Sequence, residues 1–159
     1  MNTEKRFKKV LDELGVNPSQ GPKPIAKYLL YQTTGDLVFI SGQGCKINGN
    51  LRYKGKIGAE LKVDEGYKAA KIAAANCLMA LKSAVTDLGK VRKIVKLNGY
   101  VNSAEDFVEQ PLVIDGASEL LIEIFGRKRG MHARCALGCS ELPNDNPVEV
   151  DLLVEINGK

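Results

Sequence analysis

The stretch Ala133–Ile156, ARCALGCSELPNDNPVEVDLLVEI, holds two runs of strand character with a turn-rich break between them. The second run alternates strictly. Val148, Val150, Leu152, Val154 and Ile156 share one face, and Glu149, Asp151 and Glu155, with Leu153 among them, share the other. In the first run Cys135, Leu137 and Cys139 alternate with Arg134, Ala136, Gly138 and Ser140. Leu142-Pro143-Asn144-Asp145-Asn146-Pro147 supplies the break. The apolar set of each strand is expected to face a helical layer. Arg134 and Glu149 then stand together on the helix-free face of one sheet. A plain cross-strand ion pair would use that arrangement. So would a binding site, because Ala136 and Gly138 leave room beside the guanidinium.

The preceding residues supply the helices. Val91–Asn102 reads as a strand, and Pro111 starts or precedes a helix with Ala117, Leu120, Leu121 and Ile124 on one face, closed by Gly126. The longest helix runs from near Asp64 to before Gly89, with Ala70, Ala74, Cys77, Leu78, Leu81, Val85 and Leu88 as its apolar stripe. Its alanines suit close packing on a flat sheet. Tyr28–Thr33 and Leu37–Ser41 read as a hairpin joined by Thr34-Gly35-Asp36, and Asn48-Gly49 marks a turn between short polar strands within 46–56. At the start, Phe7, Val10, Leu11 and Leu14 make a helix over 3–14, with Thr3 as its cap and Gly15 as its stop. The order is α, two hairpins, α, β, α, ββ, which predicts an α+β sandwich with the helices on one face of a sheet.

The 159 residues suit one domain, read as 1–159 with a helix and linker over 1–20 and a core over 25–157. Apolar residues make up 44%, with no run of about 18 that could cross a membrane. The charged N-terminus lacks the apolar centre of a secretory signal, and a cytoplasmic location is expected. Cys45, Cys77, Cys135 and Cys139 are then expected to be reduced, Cys77, Cys135 and Cys139 as core thiols. Cys135 and Cys139 lie roughly 13 Å apart at about 3.3 Å per residue, too far for one disulfide or one tetrahedral metal. Cys45, in a loop, is a core or a reactive thiol. His132, the single histidine, reads as a surface residue rather than a catalytic one. No metal and no organic cofactor is implied. The net charge of +4 is spread along the chain, so nucleic-acid binding is not expected.

At the residues quoted first the chain resembles the RidA family, also known as YjgF or reactive intermediate deaminase. The family's signature is an arginine opening a strand, a Leu-Pro, and a V/I-E-I/V opening the last strand, here Arg134, Leu142-Pro143 and Val148-Glu149-Val150. Gly35–Gln43 resembles its G-x-L-v-f-x-S-G-Q strand, Val101–Phe107 its strand-to-helix segment, and Val113–Ser118 a longer subgroup often labelled endoribonuclease L-PSP. The resemblance implies a chorismate-mutase-like fold of the bacillus type: a mixed six-stranded sheet with two main helices on one face, assembled as a homotrimer with ligand sites between subunits. It further implies hydrolysis of 2-imino or enamine acids to 2-keto acids and ammonia. In that reading Arg134 binds the substrate carboxylate. Glu149 handles the attacking water. Tyr28, Ser41 and the backbone of Ala136 shape the pocket. Asp115 stands where the family has asparagine. It either occupies Arg134 or caps the helix that follows Pro111, and the cap is the expected role. A non-catalytic trimeric binding or chaperone-like protein and an endoribonuclease or translation inhibitor are the alternative functions.

Overall fold

The computed structural model describes residues 1–158. Helix α1 spans Thr3–Leu14, with Phe7, Val10 and Leu11 buried. Its cap is Asn2 rather than Thr3, because the Asn2 side chain accepts from the Lys5 amide. Gly15 takes the left-handed conformation that ends the helix. Strands β1 (Tyr31–Thr34) and β2 (Leu37–Gln43) form the first hairpin, and β3 (Lys46–Ile47) and β4 (Asn50–Leu51) the second. Helix α2 spans Val63–Val85, strand β5 Val91–Asn102, helix α3 Gln110–Phe125 and the single turn α4 Arg127–Gly130. Strands β6 (Ala133–Cys139) and β7 (Val148–Ile156) complete the chain.

The main sheet has the order β1-β2-β7-β5-β6, antiparallel throughout except that β6 runs parallel to β5. This is the mixed α+β architecture expected, but with five strands in the sheet rather than six. The second hairpin forms a separate two-stranded sheet. Asn76 of α2 ties it to the helix: its Nδ2 donates to the carbonyls of Gly44 (2.8 Å) and Lys46 (2.9 Å).

One face of the sheet is sealed. Val38 and Ile40 of β2, Leu97 and Val101 of β5, and Val148, Val150, Leu152 and Val154 of β7 are buried beneath α2 and α3. Burial of apolar area at roughly 25 cal/mol per Å² drives this packing. The two helices approach closely through small residues. A Cβ on Gly116 of α3 would lie 2.1 Å from the Tyr67 carbonyl oxygen of α2, and one on Gly99 of β5 would lie 2.5 Å from Ile114. The alanines of α2 serve both neighbours, the sheet and α3, with Ala69, Ala70, Ala73, Ala74 and Ala80 fully buried.

Gly116→Ala is expected to destabilise the protein by about 1–3 kcal/mol or more, because the obstacle is backbone and not a movable side-chain tip. Chemical denaturation checks this, and unchanged stability would show that α2 and α3 can separate without cost.

Candidate functional site

Register decides where the sequence-predicted residues stand. Leu97 pairs with Arg134, Gly99 with Ala136 and Val101 with Gly138. Residues opposite one another in a ladder point to the same side. Leu97 and Val101 are buried under the helices, so Arg134, Ala136 and Gly138 face the helices as well. The expected faces of β6 are therefore reversed. Leu137 is 53% exposed and Cys135 and Cys139 are half-buried, on the helix-free side, and the core thiols expected there are absent. Glu149 pairs with Tyr100, on that helix-free side. Within one chain Arg134 and Glu149 lie on opposite faces of the sheet.

On the helix side Arg134 meets α3. Its Nη1 donates to Asp115 Oδ1 at 2.7 Å and to Ser118 Oγ at 3.2 Å. Asp115 and Ser118 are three residues apart, so both project toward β6 from one face of α3. Asp115 lies within the helix, beyond the first turn from Gln110, and it is a partner of Arg134 and not a cap. Nη2 and Nε of Arg134 have no protein partner among the described residues, so part of the guanidinium fork stays available. His132 joins the cluster instead of lying free on the surface. Its Nε2 is 3.0 Å from Ser118 Oγ and its Nδ1 is 2.6 Å from the Gly130 carbonyl oxygen. Burial lowers the His132 pKa, the Gly130 bond opposes it in part, and the nearby Arg134 charge adds a smaller effect in the lowering direction. Beside them Tyr67 donates to Glu119. Its pKa is pushed up to about 12, by burial first and then by that carboxylate.

Tyr28 and Glu149 line a different space, a cavity of about 600 Å³ beneath the 19–25 segment, with Gln43, Lys46, Asn76 and Asn146 also on its wall. Tyr28 precedes β1 rather than opening it. Ser41 lies outside this cavity. Its Oγ donates to the Leu29 carbonyl at 2.6 Å and its amide to that of Leu30 at 2.9 Å, which pins the segment carrying Tyr28 to β2. The Glu149 side chain lies over Gly42, where a Cβ would stand 2.1 Å from Oε1 and would force the carboxyl to move. Burial raises the Glu149 pKa, and the like charge of Asp151 raises it further. Cys45 is fully buried, its thiol within bonding reach of the Tyr53 carbonyl and Asn146 Oδ1. Burial raises its pKa, so it is a core thiol and not a reactive one. Ala136 packs partly buried against the core beside Arg134.

Two half-sites thus exist: Arg134, Asp115, Ser118 and His132 on the helix side, and the cavity lined by Tyr28 and Glu149. Among the described residues no cluster of metal-ligand type is present, and no helix is long and apolar enough to cross a membrane. The family model described as YjgF/chorismate_mutase-like, which carries the endoribonuclease label, matches residues 14–156. The chain is similar to Protein TCP17 of Trypanosoma cruzi, at 40% identity over 147 residues and 92% of each chain. It is also similar to the crystal structure of Atu1372 from Agrobacterium tumefaciens, at 37% identity and a TM-score of 0.88, over 98% of this chain and 95% of that one. An endoribonuclease-labelled structure from Shewanella oneidensis matches at 32% identity and a TM-score of 0.89, over 98% of this chain and 100% of that one. The fold and these matches define a YjgF-type α+β protein. The chain belongs to the YjgF/RidA family.

Sequence reasoning missed Ser118 and the role of His132. The available signals were the three-residue spacing of Asp115 and Ser118 and the two-residue spacing of His132 and Arg134, each of which puts a pair on one face.

The raised pKa of Glu149 has a consequence for stability. The folded state holds that proton more tightly than the unfolded chain does, so its contribution is present at low pH and is lost as pH rises through the folded-state value. Glu149→Gln should therefore raise the melting temperature by a degree or two at pH 7, roughly as a few tenths of a kcal/mol would. The gain should disappear below the ordinary carboxylate range. A gain that persists there would show that the burial of Glu149 is not its cause.

Proposed function

We propose that this protein is a cytoplasmic homotrimeric deaminase that hydrolyses 2-imino acids to 2-keto acids and ammonia. The observation that carries the reading is Arg134: a half-buried guanidinium, fixed through Nη1 by Asp115 and Ser118, with the rest of its fork free for a carboxylate. Water adds to the C=N carbon and ammonia leaves. Orientation and proton handling supply most of the gain. Glu149 acts in this reading from a neighbouring subunit, because within one chain it lies across the sheet from Arg134, and Tyr28 goes with it as a wall of the same cavity. The exposed apolar side chains Phe39 (47%) and Leu137 (53%) support such an assembly, which would bury them.

The test is imine loss, with an amino-acid oxidase generating imines in situ and semicarbazide trapping what remains. Wild type should accelerate the loss, and Arg134→Ala should fall at least about tenfold toward the uncatalysed rate, as losing a charged hydrogen bond implies. No acceleration by a folded trimer with any amino acid would sink the proposal. Sedimentation should give three times the 17.3 kDa chain mass.

The Asp115–Arg134 pair favours a second reading, a non-catalytic trimeric binding protein, since a carboxylate already sits at the anchor. Under either reading Asp115→Asn should tighten binding of a 2-keto acid such as pyruvate by about tenfold, roughly 1.4 kcal/mol, by removing a like charge. Calorimetric titration measures it. Weaker binding in the variant would mean that Asp115 positions Arg134 more than it repels the ligand.

A further inference from the structure

We propose that Ser118 is an activated nucleophile with His132 as its base, and that this pair accepts acyl groups from small activated carboxylic esters. The assignment does not rest on imine hydrolysis.

The first support is the tautomer. The Gly130 carbonyl can only accept, so the 2.6 Å contact puts the ring proton on Nδ1. Nε2 then carries the lone pair, and the Ser118 hydroxyl at 3.0 Å donates to it. Nucleophile, base and a third group that orients the base are all in place. The second support is charge. Arg134 Nη1 lies 3.2 Å from the same Oγ, on the side where negative charge develops as the proton leaves. The third is the state of the base. Burial favours the neutral ring, the form that accepts a proton. A hydroxyl that only tied α3 to β6 would be served by Arg134 alone. The second bond, to a ring held in the accepting tautomer, gives it reactivity. Ser118 and His132 are both only partly buried, so a small reagent can reach them.

In the acylation step Ser118 Oγ forms a bond to the ester carbonyl carbon and its proton passes to His132 Nε2. The bond from that carbon to the leaving oxygen breaks, and the proton passes from Nε2 to the departing alkoxide. Water then attacks the acyl-serine by the same route, giving the carboxylic acid and free Ser118. The sum is ester plus water to acid plus alcohol.

The experiment treats the full-length protein separately with p-nitrophenyl acetate and with a fluorophosphonate, followed by intact mass and peptide mapping. With the fluorophosphonate, Oγ bonds to phosphorus and fluoride leaves. The expected result is one fluorophosphonate adduct per chain, on Ser118, and release of p-nitrophenolate from the acetate, both absent in Ser118→Ala. In folded His132→Gln the adduct should form at least about a hundredfold more slowly, the usual size of a general-base contribution. No adduct, an adduct on a lysine or another hydroxyl, or an unchanged rate in folded His132→Gln would overturn the proposal. Mapping of the wild-type protein decides the matter even if His132→Gln fails to fold.

Discussion

The parallel pairing of β6 with β5 governs where the chemistry of this protein stands. A parallel neighbour in a sheet is reached through a crossover, here α3, and a right-handed crossover puts that helix over the same face that α2 already covers. Once Leu97 is buried by that layer, its partner Arg134 must point to the layer too. A cation pointed at a helix needs partners there, since an unpaired charge in a half-buried place is costly. Asp115 and Ser118 meet that need. Topology thus fixes the face, and the face dictates which residues of α3 are useful.

The sheet separates two electrostatic environments. On the helix side Arg134 and Asp115 largely cancel, which leaves directional donors more than net charge. On the other side Glu149 and Asp151 repel each other, and Asn98 Nδ2 donates to Asp151 at 2.9 Å. The result is a carboxyl disposed to hold a proton, next to a cavity walled by amides and by Lys46. General acid–base work requires such a pKa, nearer the working pH than that of an exposed glutamate. An environment that perturbs a carboxyl beside a cavity is an indication of function.

Much of the fold was legible in the sequence. β7 and α1 are found at the residues read for them, because each carries a long clean period, 2 in the strand and 3.6 in the helix; β5 is found there too, although two register irregularities break its alternation before Leu97. β6 was misread for a definable reason. Its larger apolar residues, Cys135 and Leu137, look like a core face, yet the core side carries Ala136 and Gly138. On that face Ala136 and Gly138 leave the room between β6 and α3 that the Arg134 side chain and the Gln110 amide occupy, with Gln110 Nε2 2.8 Å from where a Cβ on Gly138 would lie. Hydrophobicity ranks burial well where a strand lies in the middle of a sheet. It fails at this edge strand, where the face toward α3 carries a polar anchor and two small residues and the larger apolar side chains lie on the other face. The site inherited that error. Arg134 and Glu149 were both legible as candidates, but their separation was not, since it follows from register with β5 and β7. Asp115 was misjudged because the true start of α3 lies at Gln110, which moves position 115 out of the capping turn.

The same small residues that obscured β6 set the geometry of its site. Ile114 settles over Gly99, and Gly116 lies against the Tyr67 backbone. These two contacts flank Asp115 in sequence and fix both the height and the rotation of α3 at that turn. A helix lifted by a methyl group at either point would carry Asp115 and Ser118 away from Arg134, and hydrogen bonds of 2.7 and 3.2 Å weaken quickly with distance. His132 has its own anchor on Gly130, and Gly130 is itself packed so tightly that a Cβ would lie 2.6 Å from the Leu121 carbonyl oxygen of α3. Helix α3 therefore positions both ends of the cluster: Asp115 and Ser118 directly, and His132 through the turn that follows it. The chemistry of four polar side chains rests on three glycines, none of which carries a functional group.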